Sequence, residues 1–240
     1  MDFQSQIALD SGRVYAVDAP VSERMLFLRK TYGLVFVGIG VAAIGGFVGA
    51  TTLLAAVSQY YWAFFIAYIA GAFAAYGLRT VPGVNYLALF GFTFLCGVTI
   101  GPLLWLATKI ATDVQGTAGG TLIWQALIIT GVVFSGLTAY VVTTKKDFDF
   151  LRGALMIGLF ALIGFGIAAM FLDMGINTHL FVSIGGALLF SGFILYDTSQ
   201  IVRKYPVGDH VGAAITLFLD FFLLFIYILR IVMIMASSRD

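Results

Sequence analysis

Charged residues are scarce in this chain. They make up 10% of its 240 residues, whereas 61% are hydrophobic. Soluble domains carry about 25% charged and about 45–50% apolar residues, so this composition indicates a chain folded in lipid. The formal net charge is +1 and no basic run is present, which argues against a nucleic-acid partner.

Cysteine, histidine and membrane-embedded lysine are also rare or missing. The single cysteine, Cys96, cannot form an internal disulfide and indicates no compartment. His179 and His210 fall in predicted loops at opposite membrane faces, which argues against a shared metal site. All lysines lie outside the apolar runs. A retinal protein, which needs a mid-membrane lysine for its Schiff base, is therefore excluded.

Long apolar runs fill most of the remaining sequence. A helix needs about 20 apolar residues to cross the hydrocarbon, and the candidates are residues 32–57, 62–78, 84–107, 122–142, 151–172, 180–202 and 211–236. The runs lack the period-two alternation of outer-membrane strands. The predicted fold is an all-α membrane bundle of seven helices over residues 32–236. Residues 1–31 form a soluble or interfacial leader, and residues 237–240 a tail.

Basic residues are distributed unevenly over the predicted loops. If the N-terminus is cytoplasmic, the basic residues on the cytoplasmic side are Arg13, Arg24, Arg29, Lys30, Arg79, Lys145, Lys146, Arg152, Arg203 and Lys204. The opposite side holds Lys109, Arg230 and Arg239. The positive-inside rule favours this orientation. The C-terminus then lies outside, unless the last run is re-entrant.

Two aspartates interrupt the last two apolar runs. Asp197 lies near the predicted cytoplasmic end of the sixth run, and Asp220 lies slightly deeper in the seventh. A carboxylate at a helix centre costs about 2.5–3.5 kcal/mol on insertion scales, so a chain that carries two is expected to use them. A short loop joins the runs, which predicts antiparallel neighbours whose carboxylates face each other.

The predicted pair has a simple acid–base chemistry. Two carboxylates in contact cannot readily both ionise, so they share a proton and titrate as a unit. Deprotonated, they repel each other and offer oxygens to a divalent cation. Calcium takes about six to eight oxygen ligands, so the pair is expected to bind it weakly and transiently. Arg79, which ends the second run on the same side, either extends to water or turns inwards to the aspartates.

Four segments carry a family resemblance. The aspartate motifs are Phe-Ser-Gly-Phe-Ile-Leu-Tyr-Asp-Thr-Ser-Gln-Ile at 190–201 and Leu-Phe-Leu-Asp-Phe-Phe-Leu-Leu-Phe at 217–225. Two further segments are Thr-Thr-Lys-Lys-Asp-Phe at 143–148 and Asn-Tyr-Leu-Ala-Leu-Phe-Gly-Phe-Thr-Phe at 85–94. Together they resemble the Bax inhibitor-1 family of membrane proteins. The short loops and brief leader are typical of bacterial members.

The resemblance implies seven helices with the last one central, and a pH-sensitive calcium leak gated by a di-aspartyl pair. Carried over residue by residue, Asp197 and Asp220 are the pair, and Arg79 is the arginine that pairs with it in the closed form. Bacterial relatives can carry an acidic residue in the second helix, and residues 62–78 contain none. An outer cation-attracting site is therefore in doubt. We expect a bacterial inner membrane rather than endoplasmic reticulum, calcium as the permeant ion, no other cofactor, and other membrane proteins as candidate partners.

Other functions could use the same aspartates. An intramembrane aspartyl protease needs a Gly-x-Gly-Asp motif, and the bulky Leu217-Phe-Leu-Asp220 replaces it, so we expect no enzyme. A regulator that binds membrane proteins and transports nothing would use the aspartates as a structural lock. A proton-coupled calcium exchanger would titrate them during transport. The last two alternatives stay open beside the leak.

Overall fold

A computed structural model describes residues 14–144, 146–169, 171 and 175–238, and in these residues the chain is helical. The α-helices are α1 (Val21–Ala50), α2 (Leu54–Gln59), α3 (Tyr61–Gly77), α4 (Val84–Thr99), α5 (Gly101–Lys109), α6 (Thr121–Thr144), α7 (Arg152–Ala168), α8 (Ile176–Lys204) and α9 (His210–Ser237). A π-helical turn, Ile110–Val114, extends α5, and a 3-10 turn, Asp149–Leu151, precedes α7.

The prediction of seven membrane crossings is confirmed only in part. Five helices are long and apolar enough to span: α1, α6, α7 with its 3-10 turn, α8 and α9. A sixth span is possible if α4 and the α5 segment count as one bent crossing. The α3 helix has 17 residues, about 25 Å at 1.5 Å per residue, which is shorter than a typical span. The chain is an all-helical, multi-pass membrane protein, and the count of seven is not confirmed.

Two predicted runs are broken. The first run, 32–57, is divided between two helices, because α1 begins at Val21 within the predicted leader and ends at Ala50, and α2 begins at Leu54. The third run bends by 42° between α4 and α5. Pro102 lies in the first turn of α5, where its missing N–H is tolerated at a helix start but could not continue the α4 ladder.

The tightest packing joins α1 to α4 and α5 through small residues. A Cβ added to Gly45 would lie 2.2 Å from the backbone oxygen of Phe94, and one added to Gly97 would lie 2.0 Å from that of Ala42. Such distances leave no room for any side chain. The Gly-x-x-x-Gly segments at 45–49 and 97–101 therefore allow the helix backbones to pack closely in this membrane protein.

The last helix, α9, is the most buried. Over its most apolar stretch 56% of residues are buried, against 6% for α7. It packs on α8, α6 and α1 and more sparsely on α4 and α3, whereas α7 packs mainly on α8. A last helix surrounded by the other six is therefore not confirmed. α9 is one continuous helix of 28 residues, with no re-entrant turn inside it.

One end of the bundle collects the chain segments that flank the membrane helices. We call it the N-terminal end, because α1 begins there. The amide of Ala16 donates to the carbonyl oxygen of Tyr205 at 2.8 Å. In the loop before α7, Asp147 lies 3.4 Å from Arg203, and Asp149 pairs with Lys204. These contacts tie the loops around the ends of α8 and α9 together.

Candidate functional site

Asp197 and Asp220 lie on adjacent helices that run in opposite directions. Asp197 is two turns before α8 ends at Lys204, and Asp220 is almost three turns after α9 begins at His210. The short connection after Lys204 keeps the two helices in contact, and the two carboxyl groups lie within hydrogen-bonding reach of each other. The structure therefore brings together the two aspartates that the sequence singles out.

Asp220 is almost completely buried. Its exposed fraction is 5%, and its Oδ2 atom is buried with no hydrogen-bond partner in the described residues. Leu217, Phe221 and Leu224 around it on α9 are also buried. A buried acceptor without a partner costs about 1–3 kcal/mol. The pair thus has an oxygen available to a proton, a water molecule or a cation.

Arg79 binds a different carboxylate from the one expected. Its Nε donates to Oδ2 of Asp209 at 3.0 Å, and its Nη1 donates to the Tyr76 carbonyl oxygen at 2.7 Å. The guanidinium also lies 3.9 Å from the centre of the Tyr76 ring. Both ends of the ion pair are partly exposed, at 28% for Arg79 and 15% for Asp209. This position keeps both charges near water. A contact between Arg79 and the aspartyl pair would instead require burial of the guanidinium.

Asp209 is a functional candidate that the sequence analysis missed. Its Oδ1 accepts from the amide of Gly212 at 3.0 Å and caps α9, while its Oδ2 binds Arg79. A Cβ on Gly212 would meet both Asp209 Oδ1 and Arg79, at 2.5 and 2.8 Å. The available signal was an aspartate directly before an apolar run, which is an N-cap pattern. Its partner, 130 residues away, could not be read from that pattern.

A polar stripe runs along α9 from Asp209 to Asp220. The two are 11 residues apart in sequence, about three turns at 3.6 residues per turn, so they share one helix face. Thr216 lies between them on this face, 3.3 Å from the hydroxyl of Tyr205. We call Asp209, Thr216 and Asp220, with Tyr205, the polar stripe. It leads from the N-terminal end of the bundle to the aspartyl pair.

Tyr205 takes part in this stripe, although a tyrosine at the end of a membrane helix is typically an interfacial anchor. Burial raises the pKa of Tyr205 to about 12, and the neighbouring Asp197 and Asp209 contribute to the rise. The hydroxyl therefore stays protonated at physiological pH and is available as a hydrogen-bond donor between the two aspartates.

A second set of polar atoms lies inside the bundle beside α8. The Tyr32 hydroxyl of α1 lies next to the hydroxyls of Thr138 in α6 and Thr198 in α8. None of the three has a hydrogen bond of normal geometry within the described residues. We call them the hydroxyl cluster. Buried polar groups without protein partners are commonly satisfied by water.

The described residues contain no group of three or more His, Cys, Asp or Glu side chains that could hold a metal ion. His210 lies at the start of α9 with its Nε2 atom 2.9 Å from the Tyr86 hydroxyl. The residues around Asp220 are bulky, with Leu217 and Phe218 almost fully buried. Asp220 therefore lacks the small neighbours that the protease motif provides for a substrate backbone.

Comparison with known proteins gives consistent matches. Residues 24–239 match the family model described as inhibitor of apoptosis-promoting Bax1. An uncharacterized protein of Helicobacter pylori (strain 26695) is 36% identical over 233 residues, 96% of each chain. An uncharacterized membrane protein of Vibrio cholerae is 40% identical over 149 residues, 62% of this chain and 63% of the relative. The Golgi anti-apoptotic protein of vaccinia virus (strain Lister) is 30% identical over 222 residues, 89% of this chain and 87% of the relative.

Proposed function

The chain belongs to the Bax inhibitor family, and on this premise we propose that it is a pH-sensitive calcium leak channel. The gate is the pair Asp197 and Asp220, and Arg79 is the latch. We further propose that the chain crosses the inner membrane of a bacterium seven times, with the short α3 as one crossing and the N-terminus in the cytoplasm. The basic residues at the N-terminal end of the bundle support that orientation.

The contact between Asp197 and the buried Asp220 carries the proposal. A purely structural lock would gain most by satisfying every acceptor, because each unsatisfied buried atom costs about 1–3 kcal/mol. Here Asp220 Oδ2 has no partner in the described residues. A site that exchanges protons and cations needs an oxygen that no protein donor occupies. The hydroxyl cluster likewise offers acceptors to water inside the bundle.

Protonation of the pair closes the channel in this proposal. With one proton shared, the carboxyls hydrogen-bond to each other and hold α8 against α9. As pH rises the proton leaves, and two like charges in a poorly hydrated site repel each other. The open state then gains population. Because the two states differ by a few kcal/mol, a modest pH change is enough.

Arg79 links this gate to α3. The ion pair with Asp209 joins the end of α3 to the start of α9. Ala75 is the one buried residue among those of α3, and the other main contact of the helix is with α4. The contact with Asp209 is one position of the latch, and the contact with the aspartyl pair, implied by the family resemblance, is the other. The polar stripe connects the two positions.

Calcium would use the pair only in passing. The two carboxylates supply up to four oxygens, and calcium takes about six to eight. Water from the polar stripe completes the shell. The resulting weak binding suits passage better than storage.

Calcium uptake into liposomes that hold the purified protein tests the proposal, from about pH 5 to pH 8. We expect flux to rise with pH in the native chain. Asp197→Asn and Asp220→Asn remove the like-charge repulsion and should flatten the profile. The matched control is Asp113→Asn, which neutralises an exposed aspartate paired with Lys109 and should leave the profile unchanged.

The outcomes separate the remaining alternatives. Liposomes that leak no faster than empty ones would exclude the channel. A non-transporting regulator would then be favoured, in line with the anti-apoptotic name of the vaccinia relative. Calcium flux that stops when the proton gradient is abolished would indicate an exchanger instead of a leak.

A further inference from the structure

A cavity of about 170 Å³ lies between α3, the bend of α4 and α5, and α9. Its α3 wall is aromatic and consists of Tyr61, Phe65 and Tyr68. Leu103 contributes from α5, and Phe222 is among the residues contributed by α9. An apolar cavity of about 150 Å³ takes up a benzene molecule. This cavity therefore admits a stretch of several methylene groups.

One charged side chain, Arg230 of α9, lines this cavity. It is exposed, and its guanidinium lies 5.9 Å from the centre of the Tyr227 ring. Within the described part of the chain Arg230 makes no ion pair with a carboxylate. A guanidinium with five donors at the edge of an apolar cavity fits an anionic group, and it disfavours the entry of a cation.

The depth of Arg230 matches the level of lipid headgroups. It is 20 residues beyond His210, where α9 begins, and 20 residues of helix span about 30 Å. This equals the thickness of the hydrocarbon core. Arg230 therefore lies at the membrane face opposite Arg79. The cavity extends from Arg230 back to Phe222, about two turns deeper along the same helix.

We propose that this cavity binds one acyl chain of an anionic phospholipid, with the lipid phosphate on Arg230. The apolar wall recognises the chain, and the guanidinium recognises the phosphate through charge-assisted hydrogen bonds. The charge lies at headgroup depth, and the apolar cavity lies below it. A phospholipid has its phosphate and its acyl chains in the same order. This inference is independent of calcium transport.

The bound chain would stabilise α3 where protein contacts are sparse. At its other end α3 is held by the Arg79–Asp209 ion pair. At the cavity end, Tyr61 and Trp62 are exposed at 45% and 56%. A lipid tail between α3 and α9 fills the cavity beside Tyr61.

Two variants test the two halves of the site. Arg230→Gln removes the charge and keeps a side chain of similar length. Leu103→Trp places an indole in the cavity and keeps the charge. Lys109→Gln is the control, because Lys109 already lies 3.9 Å from Asp113. Size-exclusion chromatography and thermal unfolding establish that each variant is folded.

Native mass spectrometry of the delipidated full chain measures binding of phosphatidylglycerol against phosphatidylcholine. We expect one retained phosphatidylglycerol, bound about tenfold more tightly than phosphatidylcholine, because the choline ammonium offsets the phosphate charge that Arg230 recognises. Arg230→Gln should lose this preference, and Leu103→Trp should weaken the binding of both lipids about tenfold. Lys109→Gln should bind as the native chain does, and excess glycerol 3-phosphate should not displace the lipid.

Several results would overturn the proposal. Unchanged binding in both variants would show that lipid lies elsewhere. A loss in Arg230→Gln alone, or displacement by glycerol 3-phosphate, would reduce the site to a surface anion contact. A loss in Leu103→Trp alone would leave an apolar cavity without headgroup recognition. Equal weakening in Lys109→Gln would indicate general electrostatic attraction to anionic lipid. If Leu103→Trp does not fold, Ile226→Trp, which alters the α9 wall, replaces it.

Discussion

Two interfaces of this protein are built in opposite ways. Between α1 and α4, glycines bring backbone against backbone, and a Cβ at Gly97 would overlap the Ala42 carbonyl oxygen. Between α3 and α9, a cavity of about 170 Å³ remains, and an ion pair with partly exposed ends fastens one end. Without a hydrophobic driving force between helices in lipid, close packing is the main source of association. The first interface is therefore expected to be fixed and the second adjustable.

This difference indicates which helix can respond to the aspartyl pair. α9 carries Asp220 in a well-packed position with an exposed fraction of 5%, so charge repulsion there cannot be relieved by local movement of α9 alone. α3 has a single buried residue, Ala75, and is joined to α9 through Arg79. A change in the charge of the pair can then be expressed as a displacement of α3.

The largest effect is expected from filling the tight interface. Gly97→Ala places a Cβ 2.0 Å from the Ala42 carbonyl oxygen, which requires backbone movement and should destabilise the protein by about 3 kcal/mol. Gly77→Ala, at the end of α3, meets nothing within 4 Å and should be neutral or stabilise slightly. Thermal unfolding in detergent compares the two. Equal losses of stability would show that α1 and α4 are not close-packed at Gly97.

A smaller effect is expected from releasing α3 at Asp209. Asp209→Asn removes the charge that holds Arg79 but keeps a residue that can cap α9, so stability should fall by less than about 1 kcal/mol. Arg79 is then free to pair with Asp197 and Asp220, as in the closed form that the family resemblance implies. Calcium flux at pH 7 should therefore fall about fivefold, which is the population change that about 1 kcal/mol produces.

Asp209→Ala serves as the companion variant. It also loses the cap, which costs about 1 kcal/mol more, while its flux should equal that of Asp209→Asn. If flux follows cap loss instead of charge loss, the contact with Arg79 is not the latch.

The smallest effect is expected at the loop before α7. Asp147 and Arg203 lie 3.4 Å apart, and both are more than a third exposed. An exposed pair of this kind contributes about 0–1 kcal/mol, so Asp147→Asn should change neither the unfolding temperature nor the pH profile of flux measurably. A change in the profile would show that the gate extends into this loop.

Sequence reasoning located the features that depend on the chemistry of lipid. The cost of buried charge marks Asp197 and Asp220, and the Gly-x-x-x-Gly spacing at 45–49 and 97–101 is a pattern typical of close helix packing in membranes. Both signals depend on residue type and local spacing alone. Helix boundaries in the last third of the chain also follow from apolar length.

The remaining features depend on which helix lies beside which. Arg79 could be predicted to end a helix, but its partner was decided by the distance between α3 and the start of α9. Tyrosine is a residue type typical of interfacial anchors, and only the turn before α9 directs the Tyr205 hydroxyl to Thr216. Likewise, the bend at Pro102 and the cavity beside it arise from the packing of three helices. No periodicity in one segment carries that information.

The shared proton of Asp197 and Asp220 is the central claim, and infrared spectroscopy of the protein in lipid nanodiscs tests it most directly. The predicted result is a protonated-carboxyl band whose amplitude falls over the same pH range in which calcium flux rises, and which both Asp197→Asn and Asp220→Asn alter. A native band that does not change while flux changes, or that is the same in the two variants, would contradict the account.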